Sequence, residues 1–309
     1  MERVVIGDNE YFFSKGYKDD EKLRKSFNKL AQDTFCIDYE EWYKRGYWKN
    51  RYIPYSIIDK DKVVANVSVN IIYFNILGEE KLCVQLGTIM TDKDHRGKGL
   101  SRFLIKKAIA EWKEKSDMIY LFANDSALDF YPKFGFEKEK EYIFYKLINY
   151  ALCKNDNCNK DSEQKQEYKT LNMENKEERD FLYKKIMSSA VNLKLSMIKG
   201  TDLAMFYCIS FMKDNIYYFK DIDTIAICET KGNTLFIYEV YSEEKIDLDC
   251  IIKRFAEEKI NRVIIGFTPD DSSLYENELY REDDTTLFIL EGSNVFRENR
   301  IKFELLSHA

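Results

Sequence analysis

The stretch from Leu82 to Lys115, LCVQLGTIMTDKDHRGKGLSRFLIKKAIAEWKEK, constrains the chain more than any other. Leu82, Val84 and Leu86 alternate at the period of a half-buried strand, and Gly87 then interrupts the run, as at a bulge or a close backbone approach. Ile105, Ala108, Ile109 and Trp112 fall at i, i+3, i+4 and i+7, which places them on one face of a helix. Between strand and helix lies His95-Arg96-Gly97-Lys98-Gly99-Leu100-Ser101. The two glycines remove side chains where a ligand must come near the main chain. The free amides of the first helical turn, with the positive end of the dipole, attract an anion, and Arg96 and Lys98 add formal charge. This order predicts a diphosphate cradle.

The loop holds no G-x-x-x-x-G-K-[ST], and no third glycine follows Gly99 at the dinucleotide spacing, so two common phosphate fingerprints are set aside. Asp94-His95-Arg96-Gly97-Lys98-Gly99 instead resembles the acetyl-CoA loop of the GNAT superfamily of N-acetyltransferases, whose pattern is Gln/Arg-x-x-Gly-x-Gly/Ala. Both glycines and the basic third position match, while Asp94 departs from the first position. A second segment joins it. Met118 to Ala123 is a short apolar run suited to a strand buried on both faces. Asn124-Asp125-Ser126 offers caps for a short helix ending at Gly135. Tyr131-Pro132-Lys133-Phe134-Gly135-Phe136 resembles the superfamily's second signature, Tyr-x-x-x-Gly-Phe. The spacing from Gly99 to Tyr131 fits one helix plus one strand.

The resemblance implies an α+β fold with a mixed, mostly antiparallel sheet flanked by helices, and acetyl-CoA as co-substrate. It implies that Ile89, Met90 and Thr91 hold the pantetheine arm through the main chain, with Asn124 touching the same arm. The backbone of Arg96, Gly97, Lys98, Gly99, Leu100 and Ser101 would bind the pyrophosphate. Tyr131 would protonate the departing thiolate as general acid after direct attack by a neutral amine. His95 reads as a loop residue, and Cys83 as core, which sets aside a covalent acyl-cysteine route.

The 309 residues suffice for two globular units, and no apolar run approaches the ~20 residues of a membrane span. The opening MERVVIGDNE lacks a basic-then-apolar leader, so a cytoplasmic protein is expected. Of seven cysteines only Cys153 and Cys158 lie close together, and His95 and His308 are the only histidines, so neither a metal site nor disulfides are expected.

Within residues 1–150, the expected catalytic domain, a polar aromatic opening precedes a helix from Asp20 to Thr34. DYEEWYKRGYWKNRYIPYS follows, with Trp42, Tyr43, Tyr47, Trp48, Tyr52 and Tyr55. Two readings stand. These rings and Asp38, Glu40 and Glu41 wall an acceptor pocket for an amine, or the rings pack the helices onto the sheet. Strands are expected over Tyr55–Ile58, Val63–Phe74 and Leu82–Thr91, and closing strands within Lys138–Tyr150.

Residues 151–170 are polar and aperiodic and read as a connector. Residues 171–309 echo the first order. Helices are expected over Glu177–Val191 and Leu248–Glu258, and strands at Ala204–Met212, Ile216–Phe219, Thr224–Cys228, Thr234–Tyr241, Arg262–Phe267, Thr286–Glu291 and Phe303–Leu306. Between Tyr241 and the later helix stands only SEEKID, from which no diphosphate cradle can be built. A degenerate second acetyltransferase-like domain is the expected reading. Such a tandem resembles the enhanced-intracellular-survival acetyltransferases, which acetylate amines including aminoglycosides, without their sterol-carrier-like third domain.

Residues 1–150 carry 26 basic and 24 acidic side chains and residues 151–309 carry 22 and 30, so the acidic excess lies in the second unit. The chain offers no basic stripe for nucleic acid. A small-molecule amine is the expected acceptor; a protein or peptide acetyltransferase, or a non-catalytic acyl-CoA sensor, are the alternatives. A water chain or the terminal carboxylate of Ala309 would serve as base. Acyl-chain length and oligomeric state stay open.

Overall fold

The computed structural model describes residues 1–148, 168–190, 193–245, 247–255 and 260–308. The chain begins with a hairpin, β1 (Glu2–Ile6) and β2 (Asn9–Lys15), where a polar opening is expected. Val4, Ile6, Tyr11 and Phe13 alternate inward and give the hairpin one buried face. Helix α1 (Glu21–Phe35) starts at Asp20, whose carboxylate accepts from the Leu23 amide at 3.1 Å, and stops at Cys36 in the left-handed conformation. Its face of Leu23, Phe27, Leu30 and Ala31 is buried. A short α2 (Glu40–Lys44) leads to the meander β3 (Tyr52–Asp59), β4 (Lys62–Ile76) and β5 (Glu79–Thr91). Helix α3 (Leu100–Trp112) crosses to β6 (Met118–Ala123), which lies parallel to β5. Two single turns, Asp125–Ala127 and Tyr131–Phe134, stand where one short helix is expected; Pro132 inside the segment has no amide to continue a longer one. Strand β7 (Phe136–Lys138) follows.

The second unit holds β8 (Tyr142–Leu147), β9 (Tyr168–Thr170), α4 (Lys176–Ser188), β10 (Leu193–Met197), α5 (Thr201–Ser210), β11 (Ile216–Phe219), β12 (Thr224–Lys231) and β13 (Thr234–Tyr241). Helix α6 (Leu248–Phe255) crosses to β14 (Arg262–Ile265), parallel to β13. Then come β15 (Thr268–Pro269), β16 (Glu276–Leu279), β17 (Thr286–Leu290) and α7 (Asn294–Glu298).

Two sheets result. The first runs β1-β2-β3-β4-β5-β6-β17-β7, with β10 joined to the far end of β4 and β15 to β10; the second runs β16-β8-β14-β13-β12-β11-β9. Sheet membership therefore departs from chain order. The expected closing strands split, because β7 stays with the first sheet while β8 pairs with β14 and β16 in the second. In exchange β17 returns from the second half and fills the gap between β6 and β7. Of the expected connector, 151–167 and the Cys153–Cys158 pair lie outside the described residues, and Tyr168–Thr170 is β9, paired to β11.

Two other expectations are corrected. Ala204–Met212 falls largely in α5, not in a strand, since Leu203, Ala204, Met205, Phe206 and Cys208 are buried on several sides. A helix that is apolar all round carries no helical period to read. Phe303–Leu306 is an extended tail ending in a single turn, Leu305–Ser307; its apolar side chains fill a core without joining a ladder. Among the described residues, no helix is long and apolar enough to cross a membrane.

Three cores hold the layers. Helix α3 presents Leu100, Leu104, Ile105 and Ala108 to Val67, Val69, Val84 and Leu86 on one face of the first sheet. The opposite face packs against α1, α2, α5 and the tail in one continuous core. Helix α6 sets Ile251 and Ile252 on the second sheet.

Candidate active site

Strands β5 and β6 pair in parallel from Cys83/Met118 to Gln85/Tyr120, and their pairing stops there. Beyond that point β5 carries a bulge: Ser68 faces Gly87 and Asn66 faces Met90, so Val67 alone opposes Thr88 and Ile89. Thr88 has φ +45°, a conformation that β-branched residues seldom adopt. A buried polar network holds it. The Thr88 hydroxyl lies 3.1 Å from the Tyr39 hydroxyl and 2.5 Å from that of Tyr52, and its carbonyl accepts from the Asn66 side-chain amide at 2.9 Å. Asn66 also donates to Ser68 and accepts from Ser56, which meets Tyr17. Burial raises the hydroxyl pKa of Tyr39 and Tyr52, keeping both protonated. Neither Thr88 nor Asn66 belongs to the motifs that mark the other site residues; the one local sign of them is the polar stripe Asn66, Ser68, Asn70 along an otherwise Val/Ile strand.

The loop lies at the end of β5. His95 is clamped between two carboxylates, its Nδ1 2.9 Å from Asp92 and its Nε2 3.0 Å from Asp59, which ties the loop to the β3–β4 turn. The His95 contact holds the Asp92 carboxyl below its ordinary range. Gly97 and Gly99 both take left-handed backbone, φ +77° and +82°, and a side chain at Gly97 would point into open space. The first i−4 bond of α3 runs from the Phe103 amide to the Gly99 carbonyl, so the amides of Leu100, Ser101 and Arg102 precede the helix's own acceptors, and no side chain caps them. Arg96 and Lys98 are placed beside them, Lys98 exposed. Arg96 donates to the Thr91 carbonyl at 3.3 Å, and the Ser101 and Thr91 hydroxyls lie 2.7 Å apart. Ile89 falls in the bulge; Met90 and Thr91 pair with Asn66 and Ala65.

Tyr131 starts the turn that Gly135, at φ +89°, terminates. Its ring is 6% exposed, among Phe130, Phe136 and Phe288 of β17, in the same core as Ile89 and Leu100. Burial alone pushes its hydroxyl pKa up to about 12, and the hydroxyl makes no hydrogen bond to a described residue. Asn124 is exposed, and its amide donates to the Asp284 carboxylate at 2.8 Å, with the Asp125 amide on the same carboxylate at 2.7 Å. The loop, bulge and Tyr131 are thus brought onto one face, while Asn124 is engaged by the loop before β17.

The aromatic stretch does not form an open pocket. Trp42, Trp48 and Tyr52 are buried with Phe27 and Tyr39, and Tyr39 stacks on Phe206 of α5 at 5.1 Å and 3°. Tyr47 stacks on Tyr183 at 5.8 Å, and Tyr55 faces the other core, where its hydroxyl accepts from Trp112. Asp38 accepts from Asn28, Gln32 and the Glu40 amide, Glu40 pairs with Arg24, and Glu41 with Arg45. Packing claims the rings because each large apolar area gains more in a core than along a wet wall. Among the described residues, no group of three or more His, Cys, Asp or Glu side chains is placed to hold a metal ion.

Residues 21–138 match the family model described as an acetyltransferase (GNAT) domain. Comparison with curated protein sequences found no match. Among solved structures, a probable N-acyltransferase from Enterococcus faecalis is 14% identical, with TM-score 0.60 over 91% of this chain and 72% of that one. Eis1 from Mycobacterium abscessus is 10% identical, with TM-score 0.54 over 90% and 72%. A GCN5-related N-acetyltransferase from Kribbella flavida is 13% identical, with TM-score 0.52 over 91% and 72%. At these identities the likeness is one of fold, and it spans both units. Residues 21–138 thus carry a GNAT acetyltransferase domain.

Proposed function

We propose that the protein transfers an acetyl group from acetyl-CoA to a small-molecule amine by direct attack, with Tyr131 as general acid. The observation that carries this reading is Tyr131, a buried side chain on the same core face as the bulge and the glycine loop, whose hydroxyl has no hydrogen-bond partner among the described residues and is protonated at neutral pH. The pyrophosphate would lie on the amides that follow Gly97 and Gly99, with Arg96 and Lys98 adding charge. The pantetheine arm would enter where β5 and β6 part, against Ile89, Met90 and Thr91, and Asn124 would reach it by exchanging its bond to Asp284. The base is a water chain or the terminal carboxylate of Ala309; Ala309 itself lies outside the described residues. Residues 151–170 would link this unit to a second one that binds no coenzyme.

Tyr131→Phe tests the proposal. Thiol release from acetyl-CoA with a panel of primary amines should fall about 100-fold or more in kcat, the scale of general acid catalysis, while calorimetric coenzyme affinity stays at the wild-type value. Equal turnover in the two proteins would remove Tyr131 from the chemistry. Coenzyme binding without amine-dependent thiol release in either would favour the sensor reading.

A further inference from the structure

A cavity in the second unit is lined by none of the residues of the glycine loop. It measures about 560 Å³, within the range of small-molecule sites. It lies between the end of β13, β10 and the tail. Met197 of β10 pairs with Phe74, seven residues along β4 from the bulge position Val67, or about 23 Å by strand rise. The bulge beside the first cleft and this cavity are therefore separate places.

Leu193, Met197, Phe267 and Leu274 give the cavity apolar walls. Its buried polar lining includes Glu239, Glu304 and Ser196, respectively 4%, 3% and 7% exposed, with Tyr241 and Ser242 beside them. A local irregularity puts Glu239 there. On β13, Glu239 faces Ile227 and Ile237 faces Cys228, which leaves Tyr238 as the extra residue of a bulge. Leu235 and Ile237 stay in the α6 core, whereas Glu239 and Tyr241 line the cavity. Glu304 accepts from the Met197 amide at 2.7 Å, but Glu239 Oε1 and Ser196 Oγ are buried without a partner. Buried polar atoms are ordinarily satisfied, so the two mark the place of a missing donor. The nearest cation does not supply it. Lys302 donates to the Phe303 carbonyl at 2.9 Å, sits 4.6 Å from the Tyr280 ring centroid, and forms no ion pair with either carboxylate among the described residues. The rim carries exposed Glu244, Asp247, Asp270 and Asp271 against Lys245 alone, which is paired to Asp270 at 2.9 Å. That field repels a polyanion and draws a cation.

We propose that this cavity binds a small primary amine with an apolar body, its ammonium seated against Glu239, Glu304 and Ser196. Burial raises both pKa values, that of Glu304 to about 7, the charge of Glu304 raises Glu239 further, and an ammonium between them supplies the absent counter-charge. The site is independent of the acetyl-transfer reading.

Hexylamine and 1-hexanol, which share an apolar body and differ in charge, are the probes. Titrated into the full chain in the calorimeter, hexylamine should bind one site at least tenfold more tightly than hexanol. Glu239→Gln should weaken hexylamine at least tenfold, and Ser196→Phe, which fills the cavity, should abolish binding of both probes. Acetyl-CoA binding should be unchanged in each variant. Hexylamine and hexanol binding alike would overturn the proposal. So would hexylamine binding that survives Ser196→Phe, or a second equivalent of acetyl-CoA that Ser196→Phe removes. If Glu239→Gln does not fold, Ser196→Phe decides alone.

Discussion

The clefts of the two units are built alike and charged oppositely. Each is bordered by a parallel pair, β5/β6 or β13/β14, joined through a helix, α3 or α6. Each has a bulge in the first strand beside the point where pairing ends, at Thr88–Ile89 and at Tyr238. The difference is in the six to eight residues that follow. After β5 the chain has two left-handed glycines, Arg96 and Lys98, ahead of an uncapped helix. After β13 it has Ser242-Glu243-Glu244-Lys245 and Asp247. One framework thus presents amides and cations, and the other carboxylates. On the proposed readings, the splayed parallel pair would set where a ligand sits, and the crossover loop its charge.

The largest effect that tests this contrast is loss of the coenzyme. Gly97→Glu/Gly99→Glu places two carboxylates where the diphosphate would lie and forces side chains into left-handed backbone at about 1–2 kcal/mol each. Calorimetry should show acetyl-CoA affinity weakened at least 100-fold in a protein whose circular dichroism is unchanged. Wild-type affinity in that variant would mean that the loop charge does not set the ligand.

The next test asks whether two similar units unfold as two. Phe206→Ala removes the ring stacked on Tyr39, across the joint between α5 and the start of α2. A buried Phe→Ala change costs about 3–5 kcal/mol. Because one core holds both partners, tryptophan fluorescence and far-ultraviolet dichroism should report a single transition at a lower midpoint. Two separated transitions would show the units to be energetically distinct.

The smallest effect is a pH dependence confined to the acidic cleft. Glu304 has its folded pKa raised from 4.5 to about 7, with Glu239 beside it also raised and Lys302 opposing both. The stability this group contributes is present below its ordinary pKa and is lost as pH rises through about 7. Glu304→Gln keeps an acceptor for the Met197 amide and removes the titration. Its Tm should exceed wild type by on the order of 2–4 °C at pH 8 and match it near pH 4.5. Parallel Tm–pH curves would show that the carboxyl is not desolvated.

The parts legible in the sequence are those with a local signature. Helix α1 lies within one residue of its expected bounds, and β11 and β13 coincide with theirs, because one-sided burial writes a period into the chain. The strand–glycine–helix setting of Gly97 and Gly99 is legible because left-handed turns exclude most residue types. Helix α5, buried all round, carries no such period. The insertion of β17 beside β6 pairs Thr286 with Ala123, and nothing local to either residue names its partner. The network around Thr88 is hidden for the same reason, since Tyr39, Tyr52, Asn66 and Thr88 meet only after three strands and a helix are packed. The aromatic stretch is legible as rings but not as to what they face, because α5 arrives more than 150 residues later.

The return of β17 has a consequence in time. The gap between β6 and β7 is filled only when Thr286–Leu290 has been made, about 150 residues after Lys138. At roughly 5–20 residues per second, a nascent chain carries the open edge of β6 for on the order of 10–30 s. During that interval the loop that would hold the coenzyme is complete, but the wall behind Tyr131 lacks Phe288. Synthesis of the second unit is therefore a step in assembling the first.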